Sequence, residues 1–340
     1  MTQWLARCRQ PVITASGLPS TTITRPVQWL GKTQNARSFT AGRPLRQDGD
    51  PRVRELGREI SDDFATIRDT YETPKYPIVL AHGLFGFSEL RLHSSLPAVY
   101  YWHGIKEALS AQGAVVLTPT VPPSGSIADR AAALHDALAA CSPMPEAVNI
   151  VAHSMGGLDA RYMLSHMAPT PVKVASLVTV ATPHRGSAFA DYLLDKNLAP
   201  IHLPRLYGAI ERAGFGTAAF AQLTRRYMTD EFNAATPDDP DVQYFSYGAA
   251  LEDVPPLLSP FRHSHGVIAE AEGPNDGLVS VDSSRWGTYK GTLVGVSHLD
   301  LINWSNRMRW TVREWMGMKR NFNAIAFYLD IADMLAKEGL

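Results

Sequence analysis

Ser154 stands in Ala152-His153-Ser154-Met155-Gly156-Gly157, between an apolar run, Val148 to Ala152, and a segment of helical pattern. A serine hydroxyl has a pKa far above 7 and is a weak nucleophile, so it needs an adjacent base and a position clear of the strand that carries it. A strand-to-helix elbow provides that exposure, and a small-x-Ser-x-Gly string is its mark in sequence. The first position here is Ala152 rather than glycine, still small enough for a strained turn. In this arrangement the chain order is nucleophile, acid, base. His298 follows the last predicted strand directly and is the expected base. Of the eleven histidines, His153 flanks Ser154 and is read as pointing elsewhere. His263 and His265 read as a surface pair, with no third ligand at zinc spacing. For the acid, Asp276 in Asn275-Asp276-Gly277 precedes His298 by 22 residues. Asn-Asp-Gly is also ordinary turn chemistry, and Glu270, Asp253 and Asp300 remain alternatives.

Acyl transfer passes through a tetrahedral oxyanion, which needs preorganised donors. The backbone N–H of Met155, next to the nucleophile and at a helix start, is one candidate. The turn His82-Gly83-Leu84, after an earlier apolar run, offers the N–H of Leu84 as the second.

The elements that must position these groups are legible as an alternation. A helix is expected over 50–68, ended by Pro74 and Pro77. Ile78 to Ala81, Ala114 to Thr118, Val148 to Ala152 and Val174 to Val180 read as strands, and 98–111, 126–140 and Gly156 to His166 as helices. Strands apolar throughout, alternating with helices, predict an α/β fold with a mostly parallel sheet covered on both faces. The alternation stops over about 188–240, a mainly helical insertion. It resumes with strands at Val242 to Tyr247 and Gly291 to Val296, and an amphipathic helix over 319–338 closes the chain. The expected body is one domain, 48–340.

Composition narrows the function. A chain of 340 residues, 45% hydrophobic, can bury a large core. A net charge of −1 gives no global basic field for nucleic acid. Two cysteines, Cys8 and Cys141, make a disulfide framework improbable, and no stretch reaches the roughly 18 apolar residues of a membrane span. Charge is uneven, however: residues 1–47 hold Arg7, Arg9, Arg25, Lys32, Arg37, Arg43 and Arg46 and no acid. An Arg-rich, Ser-rich, acid-free segment is the composition of a mitochondrial transit peptide. Its alternative is a disordered basic tail. Mitochondrial matrix or inner-membrane association is therefore expected, with the cytosol or a lipid-droplet surface as the alternative.

Six ordered blocks carry a family likeness: His82-Gly83-Leu84, Tyr101-Trp102-His103-Gly104-Ile105, His153 to Tyr162, Ala181 to Ser187, Asn275 to Val279 and His298-Leu299-Asp300. Over about residues 76–304 the chain resembles the Pseudomonas and Burkholderia triacylglycerol lipases and their fungal mitochondrial relatives. The resemblance implies an α/β-hydrolase fold and hydrolysis of acylglycerols through Ser154, Asp276 and His298. A phospholipase or acyltransferase using the same acyl-enzyme, and an inactive lipid-binding protein, are the alternatives. The expected partner is an acylglycerol or other lipid ester at a peripheral lipid surface. Family members also have a calcium ion bound by the Asp two residues after the catalytic His, which Asp300 matches. Trp304 stands where they have a Gln ligand, and the disulfide near their triad is missing here, as in a reducing compartment. No cofactor is assigned. They also carry a helical lid; Leu203, Leu206, Tyr207 and Ile210, at i, i+3, i+4, i+7 spacing, form a face for lipid or for core packing.

Overall fold

The computed structural model describes residues 57–84, 86, 89–90, 99–195, 217–256, 259, 261–304 and 322–340. Seven strands form one sheet in the order β1-β9-β8-β7-β6-β2-β5, every neighbouring pair parallel. They are β1 (Glu59–Ile60), β2 (Ile78–Ala81), β5 (Val116–Leu117), β6 (Ala147–His153), β7 (Lys173–Val180), β8 (Gln243–Ala250) and β9 (Thr288–Val294). A two-stranded antiparallel ladder, β3 (Glu89–Leu90) with β4 (Val99–Tyr100), stands apart.

Strand side chains alternate between the two faces, and each face has its own core. Ile78 and Leu80 pack with Val151, Val178 and Tyr247 against α1 (Ile105–Ala111) and the last helix, Ala324–Lys337. Val79, Ala81, Ile150 and Leu177 pack on the other face against α2 (Ile127–Ala139) and α3 (Gly156–His166). All seven residues of β6 are buried. Each fully buried Leu or Ile contributes about 1.5–3 kcal/mol, so double coverage fixes the strands that carry the site. Helix α2 begins with a reciprocal box in which Ser126 Oγ accepts from Asp129 N–H and Asp129 accepts from Ser126 N–H.

The chain leaves β2 towards β5 on one side and leaves β6 towards β7 on the other. β2 and β6 are nevertheless neighbours, with Ala81 beside Ala152. At such a reversal the connections diverge and leave a crevice at the carboxyl ends of the strands. The turn of His82, Gly83 and Leu84 and the elbow at Ser154 border that crevice.

Beyond β7 come α4 (Ala188–Leu194), α5 (Thr217–Ala221) and a π-helical stretch, Tyr227–Phe232, running into a short helical turn, Asn233–Ala235. Helices α6 (Arg262–Ala271), α7 (Val281–Ser284) and α8 (Ala324–Lys337) follow, with a 3-10 turn, Asp300–Ile302, between the last two.

Three expectations need correction. Residues 57–68 are bends, turns and β1, because Ile60 is buried in the sheet edge beside Leu293, which outweighs the helical propensity of the segment. The helix expected from 98 begins at Ile105, where Gly104 takes the left-handed backbone, and Val99–Tyr100 pairs as β4. The last strand runs over Thr288–Val294, starting three residues and ending two residues earlier than read, and the turn after it delivers His298. Residues 1–47 and the face of Leu203, Leu206, Tyr207 and Ile210 lie outside the described residues.

Candidate active site

Ser154 follows β6 in the left-handed region, φ 55°, which strains a residue with a Cβ. Three bonds hold it there. Its N–H donates to Val180 O at 2.9 Å, and its carbonyl accepts from Gly157 N–H and from Thr182 Oγ1. Gly156 must be a glycine, since a Cβ there would stand 2.5 Å from Ala81 O. That close approach lets α3 start directly against the end of β2.

Asp276 is fully buried in the loop between α6 and α7. Its Oδ1 accepts from the N–H groups of Leu278 and Val279, at 2.9 and 2.8 Å. Its Oδ2 is 2.7 Å from His298 Nδ1, and His298 N–H donates to Asp276 O at 3.0 Å. Of the other acids considered, Glu270 and Asp253 are exposed. Asp300 Oδ2 accepts from both N–H and Oγ of Ser297, which caps the turn leading to His298.

Ser154 and His298 line one cavity of about 350 Å3. No hydrogen bond joins their side chains, as is common for catalytic pairs before substrate binds. The walls are apolar: Leu193 from α4, Phe220 from α5, Phe261, Leu278 and Ile302 among them. The hydroxyls of Ser187 and Ser264, also on the wall, donate to Leu278 O and Phe261 O. Leu84 borders the cavity and Met155 is buried beneath it; among the described residues neither N–H meets an acceptor. Both side chains belong to one apolar cluster with Ala219, Leu223, Met228 and Phe232. The described part of the insertion thus supports both candidate donors.

Arg130 and Glu272 were not singled out in sequence, and His82 was named only as part of its turn. Arg130 is wholly buried on α2; it is paired with Asp159 at 2.7 Å and donates to His82 O and Pro122 O. It thereby anchors the turn after β2. His82 Nε2 accepts from Val121 N–H and its Nδ1–H faces Gly83 O, a neutral ring whose pKa burial and then Arg130 lower to about 3. Glu272 ties α4 to the Asp276 loop, accepting from Ala188 N–H and Ser280 Oγ.

His153 does not point away from the site. Its ring lies 4.5 Å from that of His298 and its Nδ1 is 2.7 Å from Tyr101 Oη. A residue one step from Ser154 would face the opposite side in a continuing strand, but the elbow breaks that alternation. His265 is buried rather than on the surface, its carbonyl accepting from Asn275 Nδ2; His263 is exposed and near Tyr192. Among the described residues no three His, Cys, Asp or Glu side chains converge on a metal position. With Asp300 committed to Ser297 and an indole at Trp304, these side chains do not fit a calcium site.

A family model described as a PGAP1-like alpha/beta domain matches residues 124–198. The chain is 35% identical to triacylglycerol lipase 2 of Saccharomyces cerevisiae, covering 83% of this chain and 97% of the relative. It is 28% identical to the triacylglycerol lipase of Pseudomonas fragi, covering 78% and 98%. Among solved structures it is similar to a metagenomic carboxyl esterase, TM-score 0.59 at 21% identity, covering 80% and 79%. It also resembles Staphylococcus hyicus lipase, TM-score 0.57 at 19% identity, covering 80% and 98%. At these identities the structural likeness is one of fold.

Proposed function

The chain belongs to the triacylglycerol lipase family and is a carboxylic ester hydrolase, and on that premise we propose that it cleaves acylglycerols through Ser154, His298 and Asp276. The observation that carries the reading is the buried Asp276–His298 pair, 2.7 Å apart, opening onto the cavity that Ser154 lines at a strained elbow. With Nδ1–H given to Asp276, the His298 proton is absent from Nε2, which is free to take the Ser154 proton. Ser154 Oγ then bonds to the ester carbonyl carbon, and the N–H groups of Leu84 and Met155 receive the oxyanion. Collapse breaks the C–O bond to the glycerol oxygen, which leaves with the proton held on His298. Water repeats the sequence on the acyl-enzyme, its proton passing through His298 to Ser154 Oγ, and the fatty acid departs.

The acyl chain occupies the apolar cavity, whose volume lies at the lower end of the roughly 300–1,000 Å3 of ligand pockets. Trp304, 44% exposed on its rim, suits a peripheral lipid surface, where an indole is half apolar and half wet. No helix among the described residues is long and apolar enough to cross a membrane. The acid-free basic composition of residues 1–47 supports mitochondrial targeting of a body spanning 48–340, with about 188–240 as its insertion. Fatty-acid release from an emulsified triacylglycerol tests the reading: Ser154→Ala abolishes it if Ser154 is the nucleophile, and retained release overturns the assignment.

A further inference from the structure

Tyr101, just after β4, places its hydroxyl in a buried junction between the two candidate oxyanion donors. Gly83 N–H donates to Tyr101 Oη at 3.1 Å, and Oη lies 2.7 Å from His153 Nδ1. An amide can only donate, so Oη accepts from Gly83 N–H, and the same oxygen is hydrogen-bonded to His153 Nδ1. Burial, with His298 beside it, keeps the His153 ring neutral. Gly83 immediately precedes Leu84, and His153 is separated from Met155 by Ser154 alone. The junction is tight: a Cβ on Gly83 would stand 2.8 Å from Ser154 Cβ and 3.0 Å from Tyr101 Oη. Tyr101 is itself held from outside, its carbonyl accepting from Trp304 Nε1 at 3.2 Å. The ester chemistry proposed above draws no proton from this phenol.

We propose that Tyr101 is a positioning residue whose hydroxyl clamps the Gly83 amide to His153 and so sets the separation of the Leu84 and Met155 N–H donors. The clamp joins the ends of β2 and β6 at the point where their connections diverge. It also braces the His153 ring that flanks His298. The proposal rests on Ser154 being the nucleophile.

Tyr101→Phe deletes the clamp and keeps the ring on the cavity wall. Oxyanion donors act only when aimed at the developing charge, and misplacement by about 1 Å costs on the order of a hundredfold. The expected result is a kcat lower by about ten- to a hundredfold, with KM near that of the parent. Affinity for an alkylboronic acid, which forms a tetrahedral adduct on the serine, falls by a similar factor. A role in folding alone would not move that affinity in the folded fraction, counted by active-site titration. His153→Phe opens the same clamp from its other end. It should reproduce the loss, and the double variant should lose no more than either single one. Unchanged kcat in folded Tyr101→Phe, a kcat loss with undiminished boronate affinity, or additive losses in the double variant would each overturn the proposal. Ser154→Ala, assayed alongside, separates the two readings. If it keeps activity the nucleophile assignment fails; if it is inert while Tyr101→Phe is fully active, only the clamp fails.

Discussion

The two oxygens of Asp276 divide the work of holding His298. Oδ1 is saturated by two backbone N–H groups, from Leu278 and Val279, and Oδ2 faces the imidazole. In Asp276→Asn the amide oxygen takes the Oδ1 place, since only an acceptor fits there. The NH2 group then faces His298 Nδ1, which must become an acceptor, and the ring proton moves to Nε2 on the Ser154 side. The base is lost with its geometry intact. A kcat reduced by about 10⁴-fold is expected, the size seen when such a tautomer is inverted in a serine protease, with KM little changed; steady-state hydrolysis by the folded variant checks it. Ser154 and His298 were legible as candidates in sequence because chemistry and chain order constrain them together, whereas Asp276 shared its place with Glu270, Asp253 and Asp300 until the fold set it against His298. Tyr101, His153 and Arg130 were not legible, because each acts through a contact with a residue distant in sequence. The likeness blocks that contain Tyr101 and His153 marked those positions without giving them a role, and no block contains Arg130.

Among the elements, legibility followed burial. β6, buried along its length, and α3 were readable to within one residue, since a run from Val148 to Ala152 apolar but for Asn149, followed after the elbow by Gly-Gly, leaves little choice. The segment 57–68 misled because the short β1 gains its strand conformation from one partner, β9, and such a long-range pairing leaves no local period. The described part of the insertion was legible as helical, but not how it works. Gln222 Oε1 accepts from Ile127 N–H at the start of α2, and Arg225 pairs with Asp191 on α4. Met228 and Phe232 fill the cluster beneath Leu84 and Met155. This stretch is a wall of the site, seated on the same helix whose Arg130 holds His82. Position along the chain says nothing of which helix face meets which turn, so that role could be seen only once the elements were packed.

For the whole molecule, the buried histidines couple stability to pH. Burial, then a neighbouring cation, lowers His82 to about 3, and His184 lies well below its ordinary value for the same causes, burial and then Arg161. His153 is depressed by burial and then by His298. Above pH about 6.5 these rings are neutral both folded and unfolded and have no effect. Below it the unfolded chain takes up protons that the native state refuses. Stability is therefore lost as pH falls below about 6.5, for His82 down to about 3, at up to about 1.4 kcal/mol per pH unit while a ring is charged unfolded and neutral folded. Urea titrations at pH 7 and 5 should give a markedly smaller unfolding free energy at pH 5; equal values would contradict the buried neutral assignments. The uneven charge, by contrast, was legible from composition alone, because a basic segment without acids needs no fold to be recognised.

The central claim is that one activated hydroxyl, that of Ser154, at the junction of β6 and α3, carries the ester chemistry. Mass spectrometry of the intact, active protein after reaction with a fluorophosphonate tests it directly. One adduct per chain is expected, on the peptide containing Ser154, with hydrolysis lost in proportion to labelling. An adduct on another residue, or hydrolysis that survives full labelling of Ser154, would contradict it.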